Sequence, residues 1–234
     1  MEELKTYRHI FFDLDHTLWD FETNSRLVLE KMFGDNKLEE KGAPSFEEFH
    51  KRYVRINDTY WARYHNGIVS KEKLRHGRFY DTLKEFGIRD AALAEILADT
   101  YQSLSPRMTA LFPDALEVLK YLQGKYALHL ITNGFAEVQW IKIEHSGLKP
   151  FFEHIIISEE VGTQKPDKQI FDLAVKRANT TAYESIMVGD NYNTDIVGAR
   201  NAGLDQVFFN PRKQRKREPV TFEITQLAEL KGIL

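Results

Sequence analysis

The chain has 234 residues, 42% of them hydrophobic and 29% charged, enough apolar material to pack one or two cores, which excludes a disordered polymer. Its 32 basic and 35 acidic residues leave a net charge of -3, excluding a whole-chain electrostatic footprint for a nucleic acid polymer or an anionic membrane. No cysteine is present, so disulfide staples, zinc–thiolate sites and thiol catalysis fall away together.

The opening MEELKTYRH is polar. It lacks the apolar segment of a signal peptide, and no apolar run approaches the roughly 20 residues that span a bilayer, so a cytoplasmic location is expected. HIFFDLD then begins as an apolar run that stops abruptly at Asp13, the pattern of a buried strand ending in polar chemistry. From Trp19 to residue 107 the pattern is helical. Ser45-x-x-Glu48 is a helix start, followed by Phe46, Phe49, Tyr53, Tyr60 and Tyr64 near the helical period. Ser70 and Asp90 read as further N-caps and Gly87 as a helix stop.

After Pro113 strands and helices alternate: a helix to Gly124, the strand ALHLIT, a helix ending at Gly147 and the strand HIIIS. A helix over 167–179, the strand SIMVG, a helix over 193–202 and the strand QVFF complete the series. Such repeats with doubly apolar strands imply an α/β fold, a parallel sheet covered by helices on both faces. Residues 1–18 and 108–234 are expected to form this α/β core, with 19–107 inserted as an all-helical domain that overhangs the carboxyl ends of the strands. Those ends are where open α/β sheets bind ligands.

The ends carry Asp13 and Asp15, then Thr132 and Asn133, then Lys165, then Asp190, with Asp195 five residues later. Any one acidic residue at such a place is an ordinary cap or turn residue; four successive polar ends imply joint chemistry. Four carboxylates against Lys165 give 1 minus 4, a local charge of -3. Like charges about 4 Å apart cost on the order of 4 kcal/mol at an effective dielectric near 20, so the cluster must protonate, separate or bind a cation. An all-oxygen donor set favours Mg²⁺ over zinc, and Mn²⁺ also fits. A phosphate ester would use every part: cation and Lys165 offset its charge, Thr132 and adjacent amides hold its oxygens, and a spare carboxylate attacks phosphorus. Asp13 and Asp15, two apart in an extended segment, can flank one reacting group.

DLDHTL at 13–18, ITNG at 131–134, KP at 165–166 and GDNYNTD at 189–195 occur in order. Together they resemble the four motifs of the haloacid dehalogenase-like superfamily of phosphohydrolases. The resemblance implies a Rossmann-like core with a helical cap, a phosphomonoester substrate and Mg²⁺. By it Asp13 is the nucleophile that forms an aspartyl-phosphate, and Asp15 is the general acid that protonates the leaving oxygen and then activates water. Thr132, Asn133 and Lys165 hold the phosphate. Asp13, Asp190 and the Asp15 carbonyl hold the metal, and Asp195 and Thr17 support them. His16 departs from the Gly or Asp usual at its position.

Asp15 separates the chain from the metal-independent haloacid dehalogenases, which generally lack this second Asp. DLDHTLWDFETN, TNGFAEVQWIKIEHSGL and ISEEVGTQKPD resemble more closely the small bacterial pyrimidine nucleoside 5'-monophosphatases, implying substrates such as UMP, dUMP or dTMP. Sugar-phosphate phosphatases and phosphomutases share the core and stand as alternatives. A phosphoacceptor signalling domain is the reading from another class, disfavoured by the long insertion. Trp19 and Phe21 directly follow the catalytic loop and are the candidates for stacking on a base; core packing is the alternative for such aromatics. RKQRKR at 212–217 reads as a solvated basic loop. Oligomeric state is left open, a monomer being compatible.

Overall fold

The computed structural model describes residues 6–216 and 218–234. The chain forms two compact units, Met1–Phe21 with Arg107–Leu234, and Glu22–Pro106. Strand β1 (His9–Phe12) opens the first unit. Helices α1 (Phe21–Asp35), α2 (Phe46–His65), α3 (Lys71–Lys84) and α4 (Ala91–Leu104) follow and build the second.

Ser45, Ser70 and Asp90 cap α2, α3 and α4 by accepting hydrogen bonds from the backbone N–H groups of Glu48, Lys73 and Leu93, each cap worth about 1 kcal/mol. Phe49, Tyr53, Phe79 and Tyr101 are buried in this unit. Arg78 is buried with them: its guanidinium donates to Asn57 Oδ1 at 2.7 Å and lies 5.0 Å from the Tyr101 ring centre. Tyr53 and Tyr60, at helical spacing in the sequence, are therefore core residues.

The first unit resumes with α5 (Ala115–Gln123), β2 (Ala127–Thr132), α6 (Ala136–His145), β3 (His154–Ile157) and the short helix α7 (Ser158–Val161). Helix α8 (Lys168–Arg177), β4 (Ser185–Gly189), α9 (Val197–Asn201), β5 (Asp205–Phe209) and β6 (Phe222–Ile224) complete it. The six strands run in the order β3-β2-β1-β4-β5-β6, all parallel. The predicted helix over 193–202 is divided, a π-turn at Tyr192–Ile196 preceding α9. Strand β6 is an addition to the predicted elements; three residues at the sheet edge are too few to show an alternating pattern.

Alternate residues of the strands feed two cores. Ile10, Phe12, Leu128, Leu130, Ile186 and Val188 pack on one face with Val118, Leu119 and Leu122 of α5. Phe11, Ile131, Ile156 and Met187 pack on the other with Ile170, Phe171 and Ala174 of α8 and Ala199 of α9. Each such side chain contributes about 1.5–3 kcal/mol when fully buried. Trp19 and Phe21, expected in the insertion, belong to the first unit. Trp19 is fully buried and its indole N–H donates to the Met108 carbonyl at 3.0 Å.

In the 212–217 run, Lys216 pairs with Glu223, and Asn210 braces the turn by accepting from Gln214 N–H at 2.7 Å. Arg217 lies outside the described residues. Among the described residues no helix is long and apolar enough to cross a membrane.

Register places the chemistry. Phe12 pairs with Leu130 on one side and with Val188 on the other, so Asp13, one residue on, and Thr132 and Asp190, each two residues on, come together at one edge of the sheet. Gly198 in α9 lets that edge pack tightly: a Cβ there would meet the Phe171 ring at 2.6 Å and Pro166 Cα at 3.0 Å. Gly198→Ala is expected to lower stability by about 1–3 kcal/mol through overpacking. Gly124→Ala, with nothing within 4 Å of the new methyl, should stay within about 0.5 kcal/mol of wild type. Urea unfolding of both variants is the measurement.

Candidate active site

Lys165 is the hub of the strand-end cluster. Its ammonium donates to Asp13 Oδ1 at 2.5 Å and to the Ile131 carbonyl at 2.9 Å. It lies 2.7 Å from Asp195 Oδ1. An ammonium has three donors, and each has its acceptor here. The sequence implies a phosphate-holding lysine; in the structure Lys165 clamps two carboxylates. Its own loop is fixed by Asn133, whose side chain accepts from Lys165 N–H and donates to the Lys165 carbonyl, both at 2.9 Å. The Asn133 amide therefore braces Lys165.

Asp13, Asp190 and Asp195 each bring a carboxylate oxygen within 4.8 Å of the others. The Thr17 hydroxyl lies 3.2 Å from Asp13 Oδ2 and 3.3 Å from Asp190 Oδ1, within donating reach of either. Asp195 is held in the π-turn, a feature common at functional sites. Its Oδ2 accepts from Asn191 N–H at 3.0 Å, while Asn191 Oδ1 accepts from the N–H groups of Asn193 and Thr194. A Cβ on Gly189 would collide with the Asp195 carboxylate, so only glycine at the end of β4 leaves that acid room.

Three acids against one ammonium leave 1 minus 3, a formal charge of -2, in a place where Asp13, Lys165 and Asp195 are all buried. Burial raises Asp13 from 3.8 to about 7; Lys165 opposes the rise and Asp195 adds to it. Asp190 is pushed well above the usual carboxylate range by burial and then by Asp13 and Asp195. Burial would lower Lys165, but Asp13 and Asp195 outweigh it and hold the ammonium above its ordinary value. This is an all-oxygen site short of positive charge, and its donors fit a hard divalent cation.

Asp15 faces a different set of partners. Lys142 Nζ donates to its Oδ1 at 2.7 Å, and Gln139 Nε2 donates to its Oδ2 at 2.9 Å. Gln139 also donates to Thr132 Oγ1 at 2.6 Å, which leaves the Thr132 hydroxyl proton for another acceptor. The Lys142 ammonium stands 4.4 Å from the Trp19 ring centre and 5.5 Å from that of Phe21. Trp19 is thus closed to a stacking base and serves as the floor under Lys142, while Phe21 packs on the His16 ring at 4.8 Å. His16 has φ +66°, the left-handed region that favours glycine, which accounts for its departure from the usual residue being tolerated only with strain.

Gln139 and Lys142 are the site residues that the sequence reading misses. The available signal is a polar pair three apart on α6, sharing its inward face with Ile143, and both are almost completely buried.

A family model described as haloacid dehalogenase-like hydrolase matches residues 7–203. The chain is 33% identical over 228 residues to the pyrimidine 5'-nucleotidase YjjG of Escherichia coli, covering 96% of each protein. It is 30% identical to a glyceraldehyde 3-phosphate phosphatase of Methanothermobacter thermautotrophicus over 86% of this chain and 84% of that one. Among solved structures, the putative HAD-hydrolase YfnB of Bacillus subtilis, bound to magnesium, superposes with a TM-score of 0.86 at 31% identity. It covers 98% of this chain and 99% of that one.

The Asp13 shift has a consequence for stability. Without metal, the folded protein keeps a proton on Asp13 that the unfolded chain releases above about pH 4, so this group's contribution is full below that value and is lost as pH rises to about 7. Thermal melts in chelator should show wild type losing ground to Asp13→Asn over that interval. Parallel curves for the two proteins would contradict the raised acid.

Proposed function

The chain belongs to the haloacid dehalogenase-like hydrolase family, and from that premise we propose that it is a Mg²⁺-dependent phosphomonoesterase working through a phosphorylated Asp13. Its proposed substrates are pyrimidine nucleoside 5'-monophosphates. The observation that carries the reading is the separation of two carboxylates by environment. Asp13 is buried against Lys165 and Thr17, and Asp15 is held apart by Lys142 and Gln139. Two acids set in different surroundings are suited to nucleophile and general acid respectively.

Asp13 and Asp190, with the Asp15 carbonyl, are the groups to hold Mg²⁺, which when bound supplies positive charge that offsets the substrate phosphate. An Asp13 carboxylate oxygen attacks phosphorus; the new P–O bond to Asp13 forms as the bond to the leaving oxygen breaks. Asp15 gives its proton to that leaving oxygen. In the second half Asp15, now a carboxylate, takes a proton from water, whose oxygen bonds to phosphorus as the Asp13–phosphorus bond breaks. Phosphate leaves and Asp15 is again protonated for the next turnover. Lys165 keeps Asp13 oriented, Thr132 donates its free hydroxyl proton to a phosphate oxygen, and Asp195 anchors Lys165.

Substrate class rests on the nucleotidase relative, which is matched along nearly all of its length. The glyceraldehyde 3-phosphate phosphatase relative favours a second reading, a small sugar phosphate. Comparing kcat/KM for UMP, dUMP and dTMP with that for glyceraldehyde 3-phosphate separates the two; the proposal requires the nucleotides to lead.

Asp13→Asn should stay folded and lose at least about a thousandfold in kcat, and excess chelator should abolish phosphate release. Rapid-quench mass spectrometry during wild-type turnover should find one phosphoryl group on the peptide carrying Asp13. Activity retained in Asp13→Asn or in chelator would overturn the mechanism. Lys142→Met should lower kcat by about 10²-fold with a smaller change in KM, since it removes the group that positions the acid.

A further inference from the structure

Three histidines stand side by side on one face of the sheet, away from the strand-end acids. His129 of β2 is in register with His154 of β3 and with Phe11 of β1; His9, two residues before Phe11, shares the face. The His9 and His129 rings stack at 5.3 Å between centres, as do those of His129 and His154. His129 lies three residues before Thr132, so about 10 Å of strand separates this group from the strand ends.

His129 is 0% exposed, and its Nδ1 is buried with no hydrogen-bond partner. Its Nε2 lies 3.0 Å from Nδ1 of His9. When Nε2 carries the proton and donates to His9, Nδ1 is left with a free lone pair, the arrangement by which an outer partner prepares a histidine to bind metal. Glu153 precedes His154. A ring nitrogen of His129, a ring nitrogen of His154 and a carboxylate oxygen of Glu153 lie within 4.8 Å of one another.

We propose that His129, His154 and Glu153, with His9 as outer partner, form a second metal site that takes a divalent transition ion of the zinc class. The donor set decides the class: imidazole with one carboxylate suits Zn²⁺, Ni²⁺ or Cu²⁺, whereas Mg²⁺ seeks oxygen. Zinc–ligand bonds are about 2.0–2.2 Å long, so the three donors close inward on the ion, and the exposed Glu153 leaves a path for entry. The bound ion would tie β2 to β3 and stabilise the folded state by mass action.

Calorimetric titration with Zn²⁺, on metal-stripped protein in saturating Mg²⁺, tests this. Wild type and Asp190→Asn should each bind one equivalent. His154→Ala and Glu153→Gln, both changes toward the surface rather than at the wholly buried His129, should weaken binding by about 10–100-fold. Zn²⁺ should raise the melting temperature of wild type and not that of His154→Ala. Absence of Zn²⁺ binding, binding lost in Asp190→Asn, or unchanged affinity in both histidine-site variants would each overturn the proposal.

Discussion

Three carboxylates, two of them buried, gathered beside one buried ammonium govern this molecule. Asp13 and Asp195 pair with Lys165, Asp190 lies beside them, and among the described residues no other cation is paired with this cluster. Removing charges from water is costly unless they are paired and hydrogen-bonded, and here the pairing is incomplete by design of the backbone. Parallel register sends β1 and β4 to the same edge, Gly189 clears space for Asp195, and the π-turn points that acid inward. Burial first, and then the negative charge of the neighbouring acids, raises the proton affinity of Asp13 and Asp190 and leaves the cluster short of positive charge.

A second polar set keeps Asp15 out of that cluster. Helix α6 supplies Gln139 and Lys142 from one face, and Trp19 closes the far side of the lysine. Gln139 also touches Thr132, so one side chain couples Asp15 to Thr132. The two carboxylates of DLD, only two residues apart in sequence, thereby acquire separate environments, the condition for assigning them different tasks.

Much of this is legible in the sequence because strand ends are punctuated. HIFF stops at Asp13, ALHLI at Thr132 and SIMVG at Asp190, and each change from apolar to polar marks a position on the binding edge of the sheet. The capping serines and Asp90 are equally local signals. What stays hidden depends on contacts between distant segments. Gln139 and Lys142 look like ordinary helix residues until Asp15 is placed against them. The bracing of the Lys165 backbone by the Asn133 side chain likewise joins two distant segments. Trp19 directly follows DLDHTL in sequence, yet its burial under Lys142 is decided by residues from α6 and by Met108.

The account turns on the acid cluster taking up a cation in place of a proton. Calorimetric titration of the metal-free protein with Mg²⁺ near pH 6.5, repeated in buffers of different ionisation enthalpy, measures both events at once. The account predicts saturable binding with net proton release, both lost in Asp190→Asn. Binding without proton release, or no binding to the wild-type protein, would contradict it.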